Sequence, residues 1–290
     1  MAKFCSSCGG SVESGQKYCM HCGAPVVEAS FVNDAQNGAQ GAVPQPQAQV
    51  ITNGSPLSRA WNELKAEKGL IGKALILTII TCIPIANFLS TGYLLKYGVD
   101  AALGGKDGLP EKIASKANFM LGFFTAVISL VWGLVIGILS SIPVIGVLAG
   151  LAVLVLAPCL ILCQMRLGLF GSLGSAFELT KVWDLFRPNI GTTLVIFWAP
   201  AAVVLVISFV AGIVGALFGG FGAILGSLGD VTALFAAGTV SIVALLIVLV
   251  IAFVSIFANL VVYRAFGYFV AETAPQWVRD GMVANPQVHI

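Results

Sequence analysis

Apolar and charged positions are sharply segregated along this chain. Residues 117–165 hold no charged side chain in 49 positions, residues 190–229 none in 40, and residues 231–263 none in 33. Soluble core helices do not run that far without a charge, and one membrane crossing needs about 20 apolar residues. The first stretch therefore predicts two spans, over 118–140 and 144–165, turning at Ser140-Ser141-Ile142-Pro143. The second and third predict another pair, over 190–213 and 234–263, with Asp230 the lone charge between them. A further apolar run, 70–95, is interrupted only by Lys73 and is divided at Ile83-Pro84-Ile85. Proline lacks a backbone donor and disfavours helix at the residue before it, so the run reads as one limb over 70–83 and a return over 86–103. At 1.5 Å per residue the first limb is about 21 Å long, short for a crossing, which makes this a broken or re-entrant hairpin. A single span through 70–95 is the alternative.

Positive charge separates the two arrangements, because short cytoplasmic loops retain Lys and Arg. With a cytoplasmic N-terminus and a single span through 70–95, nine of the fifteen Lys and Arg residues fall outside and six inside. With a hairpin there, all fifteen fall on the cytoplasmic side. The sequence thus predicts an all-α polytopic membrane bundle of three helical hairpins over 70–270, integral to the cytoplasmic (plasma) membrane. Both termini are cytoplasmic, with 271–290 as a tail. Composition agrees: 58% of residues are hydrophobic and 10% charged, and the mean hydropathy is +0.97. Three span exits resemble one another, at Ala86 to Tyr93, Gln164 to Phe170 and Ala258 to Tyr268, as a helical-hairpin repeat or as chance in apolar sequence.

Upstream the pattern changes twice. Residues 26–55 are rich in Gln, Ala, Asn, Gly and Pro, with Pro44-Gln45-Pro46-Gln47 at their centre, and predict a disordered linker. A chain of that length reaches about 30 Å on average. Ser55-Pro56 then opens a helix over 56–69, serine as N-cap and proline at the first position, with Leu57, Trp61 and Leu64 on one face. It reads as an amphipathic interfacial helix in contact with membrane lipid, or as a plain extension of the first membrane segment.

The first 25 residues carry the sharpest chemical signal. Cys5-x-x-Cys8 is followed by Cys19-x-x-Cys22, each pair ending in glycine, as two copies of one metal-binding turn. Four thiolates at this spacing make a closed tetrahedral site for one structural Zn2+, with no position left for an activated water. So short a segment cannot bury enough surface to fold unaided, and the metal supplies that free energy. Disulfides are the competing reading; they need an oxidising compartment, yet Met1-Ala2-Lys3-Phe4 leads straight into the cysteines with no apolar signal region. His21, between two ligands, is a spectator.

A family resemblance rests on the segment from Asn87 to Pro110, with Gly92-Tyr93-Leu94-Leu95 and a later Gly-x-x-x-x-Leu-Pro from Gly104 to Pro110. It resembles a polytopic membrane family known only as a domain of unknown function, over roughly residues 70–270. The resemblance implies a multi-span membrane protein, often with an N-terminal zinc ribbon, and brings no catalytic residue, substrate or cofactor. Separately, residues 1–25 resemble the double Cys-x-x-Cys-Gly zinc ribbon.

Within the predicted spans there is no His, no paired carboxylate and no buried Lys–acid pair, so proton-coupled transport and metal-dependent hydrolysis lack their usual residues. Thr78, Thr81, Asn87, Gln164 and Asn259 line a path or, the favoured reading, bond across helices. Cys82, Cys159 and Cys163 lie outside the ribbon, and Cys159 and Cys163, one helical turn apart, read as buried apolar cysteines rather than half a metal site. The pairs Gly133/Gly137, Gly146/Gly150, Gly215/Gly219 and Gly222/Gly226 at i, i+4 serve packing within one chain or a homo-oligomer. Seven glycines from Gly212 to Gly229 predict a flexible outer loop rather than a broken helix around a solute. The function that follows is a non-enzymatic scaffold or adaptor whose tethered ribbon binds a cytoplasmic protein partner, with a channel or transporter for a small solute as the alternative. With Lys3 and Lys17 its only basic residues, the ribbon is not expected to bind nucleic acid.

Overall fold

A computed structural model of the chain describes residues 3–4, 11–12, 54–105, 108–226 and 230–285, which belong to two compact units, Met1–Gln45 and Pro46–Ile290. In the first unit, strand β1 (Lys3–Phe4) pairs antiparallel with β2 (Ser11–Val12), Lys3 opposite Val12 and Phe4 opposite Ser11. This pairing brackets residues 5–10, the stretch of sequence that holds Cys5 and Cys8. The four ribbon cysteines, His21 and the linker up to residue 53 lie outside the described residues.

The second unit is helical. Helix α1 (Pro56–Ala66) starts as the sequence predicts: Ser55 is extended, its hydroxyl accepts from the Ser58 N–H at 3.3 Å, and Pro56 takes the first helical position. Gly69, at φ +82°, turns the chain into α2 (Leu70–Thr81), a conformation a residue with a Cβ would resist. The run breaks around Pro84 and resumes as α3 (Asn87–Ala102). At 12 and 16 residues these helices are about 18 and 24 Å long, both below the roughly 30 Å hydrocarbon core.

Helices α4 (Lys116–Ser140) and α5 (Pro143–Phe170) form a long hairpin turning at Ser141 and Ile142. The short α6 (Leu173–Ala176) and α7 (Leu179–Phe186), then a 3-10 turn at Arg187–Asn189, lead into a second long hairpin, α8 (Ile190–Gly226) and α9 (Asp230–Thr273). Helix α10 (Pro275–Ala284) closes the described chain and buries Trp277, Val278 and Gly281. Four helical stretches among the described residues are long and apolar enough to cross a membrane: Lys116–Ser140, Ile145–Phe170, Leu179–Gly220 and Ser241–Thr273.

The glycine-rich segment departs from expectation. Instead of a loop, α8 runs through Gly212, Gly215, Gly219, Gly220 and Gly222 to Gly226, and α9 begins four residues later at Asp230. Helical glycine costs about 1 kcal/mol relative to alanine, whereas an unpaired backbone group in hydrocarbon costs several, so the helix persists in spite of its composition. A comparable conflict arises at Pro158, inside α5, which cannot donate to the carbonyl of Leu154. The indole N–H of Trp198, on α8, donates to that carbonyl at 2.8 Å and ties the two long hairpins together.

Burial divides the second unit into a base and two distal hairpins. Helix α3 is central to the base: ten of its 16 residues are buried, including Tyr93, Leu95, Tyr97 and Val99. Around it lie the last turns of α5, from Cys159 to Leu169, and of α9, from Leu260 to Val270. Further along the same long helices the side chains face outward: Leu130, Leu134 and Ile138 on α4, Val147 and Leu151 on α5, Phe209 and Leu217 on α8, Ile242 and Leu245 on α9. Apolar surface on this scale suits lipid rather than water.

Candidate functional site

Two of the three charge-free stretches end at an arginine. Arg166 is the first charged residue after 117–165 and Arg264 the first after 231–263, and both are only 1% exposed. A guanidinium removed from water needs a counter-charge and hydrogen bonds, so these two residues organise what surrounds them.

Arg264 sits in the base end of α9. Its Nε donates to Glu63 of α1 at 2.8 Å and its Nη1 to the carbonyl of Tyr97 on α3 at 3.2 Å. The guanidinium carbon lies 4.7 Å from the Tyr97 ring centre and 5.2 Å from that of Tyr268, which supply π-faces to the cation. Tyr268 donates its hydroxyl to the other oxygen of Glu63, so one carboxylate accepts from two residues of α9. One turn earlier on α1, Arg59 stacks over Tyr268 at 4.0 Å and pairs with Glu272. Helix α1 is therefore clamped to α9 at two levels by opposite charges, with Ala60 and Leu64 buried in the seam.

Arg166 does the corresponding work at the end of α5. Its Nε donates to the Ser175 carbonyl at 2.9 Å and its Nη2 to Glu178 at 2.9 Å, which draws in α6 and the start of α7. The guanidinium carbon lies 4.8 Å from the Phe170 ring centre and 4.5 Å from that of Trp277, bringing in α10; Nη1 is buried with no hydrogen-bond partner among the described residues. A hydrogen bond from Lys181 at 2.6 Å, with Arg166 alongside, holds the Glu178 carboxyl below the usual carboxylate range.

Close backbone approach completes the base. A Cβ on Gly92 would stand 1.8 Å from the Asn118 carbonyl oxygen, and one on Gly122 1.8 Å from that of Phe88, so α3 and α4 meet through these two glycines. A Cβ on Gly267 would stand 2.1 Å from the Gly98 carbonyl oxygen, which brings α9 onto α3. The Tyr93 hydroxyl donates to the Pro110 carbonyl at 2.9 Å, joining the two sequence motifs Gly92-Tyr93 and Leu109-Pro110.

The polar residues expected in the spans take different roles. Gln164 bonds across helices, accepting from the Tyr263 hydroxyl at 2.6 Å and donating to Ser129 at 3.4 Å. The Thr81 hydroxyl donates to the Leu77 carbonyl and is hydrogen-bonded to the Ser90 hydroxyl on α3, whereas Thr78 and Asn259 donate to carbonyls of their own helices. Cys159 and Cys163 are buried on α5, Cys82 is exposed beside the α2–α3 break, and no group of three His, Cys, Asp or Glu residues gathers among the described residues. Gly133, Gly137, Gly150 and Gly219 meet nothing within 4 Å of an added Cβ among the described residues, so they mediate no close packing there. The residues that do organise the base, Arg166, Arg264, Glu63 and the Gly92/Gly122 pair, are absent from the expected site. Their signal in the sequence is position: each arginine terminates a charge-free stretch.

Fold and site together define a helical membrane protein whose long apolar hairpins rise from a polar, arginine-centred base. The family described as a protein of unknown function, DUF4013, matches residues 75–219, half of the 290-residue chain, and the chain belongs to it. The matched segment runs from within α2 into α8 and contains Arg166 and Gly92; Glu63, Arg264 and the cysteine pairs lie outside it. No curated protein and no solved structure matches the chain.

Proposed function

We propose that the protein is a non-enzymatic membrane scaffold whose N-terminal ribbon, held by one structural Zn2+ at Cys5, Cys8, Cys19 and Cys22, docks a cytoplasmic protein partner. The observation that carries this reading is the double clamp on α1. Arg264–Glu63 with Arg59–Glu272 fasten α1, the first helix after the linker in the sequence, to α9, and so anchor the start of the helical unit. The short β1–β2 pair supports a ribbon, since Cys5 and Cys8 lie between its two strands in the sequence. Zinc there supplies a fold and no chemistry, because thiolates fill all four positions. A base on the cytoplasmic side, with both termini there, follows from the positive charges counted above. Gln164 and Thr81, two of the five polar groups available to a solute path, already bond between helices, which favours a scaffold over a channel.

Deletion of residues 1–25 tests the reading. Affinity capture of the full chain from solubilised membranes is expected to recover a soluble partner, and the truncated chain is expected to lose it while retaining its helical circular dichroism. Equal recovery by the two chains would contradict the proposal. Chelation of zinc is expected to reproduce the loss and to unfold the ribbon, with the signal of the helical unit unchanged.

A further inference from the structure

Beside the α1 clamp, an apolar groove of about 660 Å³ opens between three helices. Leu57 and Trp61 of α1 form one wall, Pro200 and Val203 of α8 a second, and Phe253 and Phe257 of α9 the third. Its volume lies within the roughly 300–1,000 Å³ of ordinary ligand sites. The α8 and α9 walls belong to stretches long and apolar enough to cross a membrane, so the groove faces hydrocarbon along part of its length. Water does not settle in such a space, since an ordered water needs two to four polar partners.

The charges of α1 and the turn after it narrow the choice of occupant. Arg59 pairs with Glu272, Glu63 with Arg264, and Glu67 with Lys73. Lys65 and Lys68 are exposed and have no ion-pair partner among the described residues. The Lys65 ammonium lies 5.6 Å from the ring centre of Trp61, itself a groove wall and 48% exposed. A tryptophan in the wall of an apolar groove with a lysine beside it is the pattern of a lipid interface, where hydrocarbon meets phosphate.

We propose that this groove binds one acyl chain of an anionic phospholipid, whose headgroup phosphate is met by Lys65. Unlike lipid lying against the distal hairpins, this chain has protein on three sides, one of them the clamped α1. The inference rests on the membrane reading of α8 and α9 and is independent of the ribbon and its partner.

Native mass spectrometry of the full chain, purified in detergent and incubated with equal amounts of phosphatidylglycerol and phosphatidylcholine, tests it. One phosphatidylglycerol per chain is expected to be retained in preference to phosphatidylcholine. Ser58→Trp and Val203→Trp fill the groove from two walls, at residues whose side chains are exposed and support no core packing. Each is expected to reduce retention about tenfold, with helical circular dichroism unchanged. Lys65→Gln is expected to keep the bound chain but lower the preference for phosphatidylglycerol about fivefold, the effect of one cation near an anionic headgroup. Equal retention of both lipids by the wild type, or wild-type retention in both filled variants, would overturn the proposal, as would an unchanged headgroup preference in Lys65→Gln.

Discussion

The four long helices run from the base into the distal hairpins, yet the two regions are held by different forces. In the base, α3, α5 and α9 are buried on most sides, and the decisive contacts are charges, π-faces and glycine backbones in close approach. Toward the distal ends the helices present leucine, valine and isoleucine outward and share few buried residues. Between apolar helices in lipid there is no hydrophobic driving force, so polar bonds and close packing have to supply the association. The base has both, and the hairpins lean on it. Sensitivity to substitution should therefore fall steeply with distance along α4, α5, α8 and α9.

The largest effect is expected at the α1 clamp. Glu63→Ala removes the carboxylate that Arg264 and Tyr268 share, a loss of about 3–5 kcal/mol for breaking a buried pair. Thermal unfolding in detergent should register it, and limited proteolysis near Gly69 should accelerate as α1 detaches. Glu63→Gln keeps the shape and is expected to recover part of the loss.

Glycine substitutions contrast the two regions directly. Gly122→Ala drives a methyl group against the Phe88 carbonyl and is expected to cost about 1–3 kcal/mol by overpacking. Gly133→Ala, eleven residues further along α4 and open around its Cβ, is expected to be neutral or to stabilise by up to about 1 kcal/mol through helix propensity. Paired melting curves would measure the difference, and equal effects at the two sites would remove the distinction between base and hairpin.

A cross-link between hairpins gives the next effect. Trp198→Phe leaves the Leu154 carbonyl without a donor beside Pro158, at an expected cost of about 1–3 kcal/mol, again read from thermal unfolding.

The smallest effect is a pH dependence. Glu178 has a depressed folded-state pKa, so its contribution is present above the ordinary carboxylate range and is lost as pH falls through its folded value. The difference in melting temperature between wild type and Glu178→Gln should therefore be constant near neutrality and shrink only in acid. A difference that already changes between pH 6 and pH 8 would contradict the assignment.

Much of the architecture was legible because membranes impose one-dimensional constraints. A charge-free stretch must be a span, proline must interrupt the short apolar run, and Ser55-Pro56 must open a helix; α4, α5, the break at Pro84 and the start of α1 follow these rules. The glycine-rich connection misled because composition alone prices glycine against water, whereas in hydrocarbon the unpaired backbone costs more. The base was hardest to see. A positive-inside count treats Arg166 and Arg264 as loop charges in solvent, and nothing local reveals that Arg264 meets a carboxylate 201 residues away. Glycine spacing likewise identified pairs within single helices, while the glycines in close contact, Gly92 and Gly122, come from two different ones.

The account depends most on the side of the membrane that carries the base. Lys181 is exposed on α7, next to the Arg166 cluster, and a cysteine placed there reports on that face. In cells expressing Lys181→Cys in a background with Cys82 replaced by serine, a membrane-impermeant maleimide is expected to label position 181 only after the membrane is permeabilised. Labelling of position 181 in sealed cells would place the base outside and contradict the scaffold.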